Sequence, residues 1–394
     1  MIDNKQLFTH IESLYEHTVD IRRTIHKNPE LSGQEHQTAR LIFHELESLG
    51  LQAKMYAGNT GVAAKWTNGE GKTLVLRADI DALPVEEVND LPYCSQNPGV
   101  MHACGHDMHT AMLLGAARLL KTLQDQWRGT VVFLFQPSEE VEPGGALRMI
   151  KEKAFPSKVD AIFGMHVSAD HTTGQVGIKS GDDFSGILVF DACVKGRGGH
   201  GATPEETVDP IVCASSMIVA LQTLISRESP PFEPAVLTIG KIQAGTKRNV
   251  IPDEARFYGT IRTFSETLQK NLETRLKQLL KGVAQSFRAH IELQIEHSYP
   301  SGYNDPDLTS RAQVAFAELL GDNQVITRPH PTMYSEDFAY YQRKAPGLYV
   351  HLGVRPPNKK NMPGIHSSQF LPDESAIRYG MALHAGMVLD FLAR

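Results

Sequence analysis

Thr73-Leu-Val-Leu-Arg-Ala-Asp-Ile-Asp-Ala-Leu-Pro84 is an apolar run that stops at two aspartates and a proline. Two later stretches repeat its form. Gly129-Thr-Val-Val-Phe-Leu-Phe-Gln-Pro-Ser-Glu-Glu140 ends in paired carboxylates, and Ala161-Ile-Phe-Gly-Met-His-Val167 ends near a histidine. Apolar runs of this length without polar alternation predict strands buried on both faces. A helical pattern over 107–120, with Asp107 as its expected N-cap, separates the first two runs. A short helix over 146–154 separates the second and third. Strands alternating with helices predict an α/β domain with a largely parallel sheet and helices on both faces. Asp79, Asp81, Glu139, Glu140 and His166 then all fall at the carboxyl ends of strands, the edge where open α/β sheets bind ligands.

Outward from this centre, Leu7, Ile11, Leu14 and Ile21 recur at helical spacing, and Pro29 should end that helix. Ser32 and Glu35 read as a capping box for a second helix over 39–49, with Gly50 as its stop. The segment 61–66 reads as an edge strand. Near residue 182 the pattern changes. Strands at 187–196, 235–245, 255–264 and 290–299 enclose an apolar helix at 209–225 and an amphipathic one. The latter keeps Leu268, Leu272, Leu276, Leu279, Leu280, Val283 and Phe287 on one face. The order β-α-β-β-α-β is that of ferredoxin-like domains. The expected organisation is a catalytic domain over 1–181 and 297–394, interrupted by an inserted α+β domain over 182–296.

The chain of 394 residues is longer than one core usually serves. Its 41% hydrophobic and 21% charged content is ordinary for a globular protein. A net charge of −6 gives no reason to expect nucleic acid or an anionic membrane as partner. The N-terminus has no secretory pattern, and no apolar run is expected to span a bilayer. Four cysteines are too few for a disulfide framework, so a reducing cytoplasm is the expected compartment.

The chemistry centres on 101–109, Met-His-Ala-Cys-Gly-His-Asp-Met-His. Cys104 offers a thiolate and His106 an imidazole, both donors to divalent transition metals. Of the adjacent Glu139 and Glu140, one can bind a metal and leave the other as a base. His166 and His366 complete a mixed sulfur, nitrogen and oxygen set. One thiolate bridging two ions, with four terminal ligands, suits a two-metal hydrolase. Each residue alone also has a plainer reading: a core cysteine beside a helix-capping Asp107, a solvated Glu-Glu loop, a strand-end or loop histidine. Their joint occurrence favours the metal.

These motifs resemble the metal-dependent aminoacylase/carboxypeptidase superfamily, in the branch of hippurate hydrolases and indoleacetyl-amino-acid hydrolases. The resemblance runs through 21–35, 76–84, 101–109, 135–140, 164–167, 196–210, 249–264, 334–341 and 364–370. It implies two divalent ions (zinc, manganese, cobalt or nickel) on Cys104, His106, Glu140, His166 and His366. Cys104 would be the bridge, where other branches use aspartate. Glu139 would be the general base. His200 of the inserted lid and dimerisation domain would stabilise the oxyanion, often across a homodimer. Asn249 and Arg262 would meet a substrate carboxylate. Asp81 would orient a ligand from behind, and Asp107 would do the same or merely cap its helix. His102 and His109 are expected to be structural. Tyr334 and His351 depart from the family's usual residues. The implied reaction is hydrolysis of an N-acyl-amino acid to a carboxylic acid and a free amino acid. A carboxypeptidase or dipeptidase, or a non-catalytic metal-binding relative, are the alternatives.

Overall fold

The computed structural model describes residues 3–393, which separate into two compact units. The first comprises the chain up to Asp183, Tyr303–Pro331 and the chain from Asp337. Its eight-stranded sheet has the order Gln52–Tyr56, Gly61–Asn68, Gly129–Gln136, Thr73–Asp79, Ala161–Thr172, Gly347–Arg355, Val176–Ile178, Val325–Thr327. The four strands from Gly129–Gln136 to Gly347–Arg355 run parallel, and the antiparallel pairings lie to either side of them. All eight residues of Gly129–Gln136 are buried, as the continuous apolar run requires. Helices Asn4–Lys27, His106–Thr122, Pro306–Leu320 and Ala376–Phe391 cover one face, where Leu74, Leu76, Phe133, Phe163, Val350 and Leu352 join their apolar sides in one core. Gly145–Lys151 and Ala339–Gln342 lie on the other.

Several local expectations are corrected. Gly61–Asn68 is interior, and the edge strand is Gln52–Tyr56, whose exposed and half-buried residues mix accordingly. The strand holding His166 continues to Thr172, so His166 sits in mid-strand. Helix His36–Ser48 has no side-chain cap from Ser32 or Glu35. The Glu30 carboxylate takes its first donors instead, accepting from the N–H of Gln37 at 3.0 Å and of Thr38 at 2.8 Å. Asp107 is no cap either: the helix begins at His106 after Gly105, and Asp107 is buried within its first turn.

The second unit comprises Phe184–Gly302 and Thr332–Glu336. Its antiparallel sheet has the order Ala235–Ala244, Glu254–Thr263, Gly186–Lys195, His290–His297. Helices Pro210–Thr223 and Glu266–Ser286 pack on it through Cys213, Met217, Leu221, Leu272, Leu276 and Leu280. The strand order is the ferredoxin-like one. Residues 298–302 and 332–336 group with this unit because Ile187 and Ser185 donate backbone hydrogen bonds to Tyr299 and Tyr334 at 2.9 Å. Pro210–Glu228, at 19 residues, is long and apolar enough to cross a membrane by length and composition, contrary to the sequence expectation. Its burial of Cys213, Ala214, Met217, Leu221 and Leu224 is that of a domain's core helix.

Candidate metal centre

Gly105 carries φ 87°, a left-handed conformation that glycine adopts freely, and a Cβ there would lie 2.5 Å from Val167. This turn delivers Cys104 and, one residue later, starts the helix at His106. His109 follows one turn on, so its ring stacks beside that of His106 at 5.3 Å. The second contribution comes from the loop after Gly129–Gln136. Ser138 takes a left-handed φ of 57°, which turns Glu139 and Glu140 back toward the sheet edge. His166 comes from the central strand and His366 from a loop whose backbone N–H donates to Ala103 at 2.8 Å.

The donor atoms of Cys104, His106 and His166 lie within 4.8 Å of one another. So do those of Cys104, Glu140 and His366, and those of His106, Glu139 and Glu140. The structure therefore gathers all six residues into overlapping groups. Cys104 Sγ is 3.3 Å from His166 Nε2, and Glu140 Oε1 is 3.4 Å from His366 Nε2.

His166 and His106 both have their Nδ1 engaged. His166 Nδ1–H donates to the Val167 carbonyl at 2.7 Å, leaving the Nε2 lone pair toward Cys104. His106 Nδ1 bonds Asp81 Oδ1 at 3.1 Å, and its buried Nε2 has no hydrogen-bond partner. Glu140 Oε1, 3.8 Å from that nitrogen, is likewise buried and unpartnered. Fixing one imidazole nitrogen on a carboxylate or carbonyl is the usual support behind metal-binding histidines. Burial lowers the His106 imidazole, but the carboxylates of Asp79, Asp81 and Glu140 outweigh it and raise it to about 10. Burial pushes the Cys104 thiol well up, and Glu140, Glu139 and Asp79 add to it. An excess of buried negative charge around orphaned donor atoms is what a cation neutralises. The donor set thus fits divalent metal.

Asp81 does more than hold one ring. Its Oδ2 also accepts from the Glu140 N–H at 3.0 Å and from Ser32 Oγ at 2.7 Å. Asp107 faces elsewhere, to Arg22 Nε at 2.7 Å and His26 Nδ1 at 2.8 Å. His109 is held on both sides: Nδ1 bonds Asp79, Nε2 accepts from the Val167 N–H at 2.9 Å, and its ring lies 4.7 Å from that of His166; with Asp79 and His106 it also forms a further group of donor atoms within 4.8 Å of one another. It wedges between two candidate ligands. Asp79, in turn, is held by Arg77 at 2.6 Å. The signal for this pair was the His106 to His109 spacing together with an aspartate at a strand end.

Behind Asp107, the Glu87 carboxylate accepts from His26 Nε2 at 3.1 Å and from the Ser95 N–H at 2.7 Å. Burial raises Glu87, but the bonds from His26, Ser95 and Asn89 prevail and lower it from 4.5 to about 2. A depressed carboxyl contributes stability that is present above its unfolded pKa and lost as pH falls through the folded one. Glu87→Gln should therefore cost stability at pH 5, and that cost should shrink between pH 4.5 and 2 in denaturant titrations. A cost independent of pH over that window would contradict the assignment.

In the second unit, His200 is exposed on the short strand Gly199–His200, which pairs with Val250–Ile251. Its Nδ1 accepts from the Ala202 N–H at 3.0 Å, and Asn249 lies alongside, its carbonyl accepting from Gly201. Arg262 is apart from both. It sits at the far end of Glu254–Thr263, roughly 25 Å along a strand at about 3.3 Å per residue. There it donates to the Met333 carbonyl at 2.8 Å and Ser335 Oγ at 3.0 Å, beside an exposed Tyr334.

The donor set fits divalent metal, and the chain's relatives make it a metal-dependent amidohydrolase. Residues 75–390 match peptidase family M20/M25/M40, and the chain belongs to that family. It is 39% identical to the IAA-amino acid hydrolase ILR1-like 4 of Arabidopsis thaliana, over 95% of this chain and 85% of that protein. It is 35% identical to thermostable carboxypeptidase 2 of Saccharolobus solfataricus, over 98% of each. The crystal structure of Bacillus subtilis YXEP protein, described as a dinuclear metal binding peptidase of the M20 family, superposes with TM-score 0.84 at 33% identity. That match covers 97% of this chain and 99% of that one.

Proposed function

We propose that this protein hydrolyses N-acyl-amino acids to a carboxylic acid and a free amino acid at a two-metal site. The observation that carries the reading is the pair of buried atoms His106 Nε2 and Glu140 Oε1, neither of them hydrogen-bonded, set among Cys104, His166 and His366. Those five would hold two divalent ions; zinc, manganese, cobalt and nickel all suit the set. When bound, the ions supply Lewis-acid polarisation of the amide carbonyl and acidify water. Asp81 orients His106 and, through the Glu140 N–H, the turn that carries Glu140. Glu139, adjacent to the ligand Glu140, takes the proton from the attacking water and gives it to the leaving amine nitrogen. Addition of water across the C–N bond then leaves acid and amine in balance.

The relatives point to the amine side of the substrate. An amino-acid conjugate and a peptide C-terminus both release an amino acid with a free carboxylate. The Arg262 guanidinium is a planar fork suited to that group, and Asn249 is a further polar partner. His200 accepts at Nδ1, so its neutral form carries the proton on Nε2, as an oxyanion donor needs. His200 lies on the small two-stranded sheet with Val250–Ile251, and Arg262 lies at the far end of Glu254–Thr263. That separation supports a homodimer in which the two serve a substrate from different copies. The inserted unit would then be the lid and dimerisation domain. All four cysteines are free, which supports a cytoplasmic setting.

The test is steady-state hydrolysis of N-acyl-amino acids and of dipeptides by metal-loaded protein. N-acyl-amino acids should be the better substrates, and His200→Ala should lower kcat by about 100-fold. Faster cleavage of peptides would favour the carboxypeptidase reading, and an undiminished His200→Ala rate would remove that residue's role.

A further inference from the structure

We propose that Glu35 is a positioning residue for this reaction, holding by a hydrogen bond the turn that presents Glu139 and Glu140. The inference rests on the roles given to those two glutamates above. Ser138, immediately before them, is a non-glycine residue at φ 57°. Such a conformation persists only where its surroundings enforce it. Three bonds grip the turn. Ser138 N–H donates to Glu35 Oε1 at 2.7 Å, Gly145 N–H donates to the Ser138 carbonyl at 2.9 Å, and Glu140 N–H donates to Asp81 Oδ2 at 3.0 Å. The first is the only one of these that fixes the nitrogen of the left-handed residue itself.

Apart from Ser138, the Glu35 carboxyl meets only local backbone N–H groups, its own and that of Gly33, in the turn before its helix. It is fully buried, and it does not cap the helix that follows, because Glu30 takes those donors. Its Oε2 is buried without a hydrogen-bond partner. A carboxyl in such a place costs stability unless its polar atoms are used. The only use beyond its own turn among these contacts is the Ser138 N–H, with the Ser138 hydroxyl further off at 3.4 Å. Burial, reinforced by Asp81, raises the Glu35 carboxyl to about 7, so a neutral acceptor at this position is compatible with the fold.

What Ser138 requires is an acceptor oxygen. Glu35→Gln keeps one, Glu35→Leu removes it, and Glu35→Asp withdraws it by a methylene. The variants are made in the full chain, stripped and titrated with Zn2+ or Mn2+, then assayed at saturating metal with Glu139→Gln in parallel. Glu35→Leu and Glu35→Asp should weaken metal affinity about 10-fold through Glu140, the scale expected for a support behind a ligand. They should lower kcat about 10- to 100-fold with KM within about 2-fold, a size consistent with misplacing a reacting group. Glu35→Gln should stay within about 3-fold of wild type in both. Wild-type affinity and kcat in folded Glu35→Leu would overturn the proposal, as would a Glu35→Gln protein impaired as severely as Glu35→Leu. Should Glu35→Leu fail to fold, Glu35→Asp carries the same test, and wild-type values there would overturn it. Metal affinity is read without substrate, so it decides the role of Glu35 even if no N-acyl-amino acid is cleaved. Failure of wild type to cleave any would instead overturn the reaction proposed above.

Discussion

Glu139→Gln protein should lose about 1,000-fold in kcat while keeping its fold and its metal. General acid–base catalysis is worth about 100- to 10,000-fold. Glu139 is placed to supply it twice, first from water and then to the leaving amine. The side chain is 7% exposed and shares a donor group with His106 and Glu140. Glutamine preserves its volume and most of its hydrogen bonding but cannot take a proton. KM and metal content should stay near wild type, since Glu140 remains as ligand. Turnover and metal content measured on the same sample separate the effects: an undiminished rate removes Glu139 as the base, and a parallel loss of metal makes it a ligand instead.

Cys104→Ala should have the second largest effect, and it should act on the metal itself. Cys104 Sγ belongs to two of the donor groups, one with His106 and His166 and the other with Glu140 and His366. Removing it strips a donor from both. It also leaves the buried carboxylates of Glu140 and Asp79 around a weakened cation site. Metal affinity, followed by titration of stripped protein, should fall at least about 100-fold, and activity at limiting metal should fall with it. Cys104→Asp should retain part of the affinity, because a carboxylate oxygen can also bridge two ions. Unchanged affinity in Cys104→Ala would exclude the sulfur as a bridge. His366 belongs to one donor group where Cys104 belongs to two, so His366→Ala, removing a half-exposed side chain, should lose less.

Much of the first unit could be read from its strands. Apolar runs closed by aspartate or glutamate mark buried strands and their ligand edge together, whereas His166 reaches the same space from mid-strand. The structure brings Cys104, His106, Glu139, Glu140, His166 and His366 to that space. What failed were readings that depend on spatial neighbours. Ser32 and Glu35 carry a capping-box pattern, yet their side chains reach Asp81 and Ser138, and Glu30 satisfies the helix instead. The local pattern is identical in both cases, and only tertiary contact distinguishes them. Asp107 looked like a cap because it opens an apolar helical run, but Gly105 places the helix start one residue earlier and Asp107 turns to Arg22 and His26. Gly61–Asn68 looked like an edge strand because order along the chain does not reveal order across a sheet. The place of His109 between His106 and His166 follows from helix phase and strand register together.

The most direct test is to strip the 394-residue chain with chelator, add back Zn2+ or Mn2+ in measured steps, and follow hydrolysis of an N-acyl-amino acid against bound metal. Activity should be absent in the stripped protein, rise with occupancy, and level off at two ions per chain. Hydrolysis that persists in metal-free protein, or protein that binds two ions and cleaves no amide, would contradict the account.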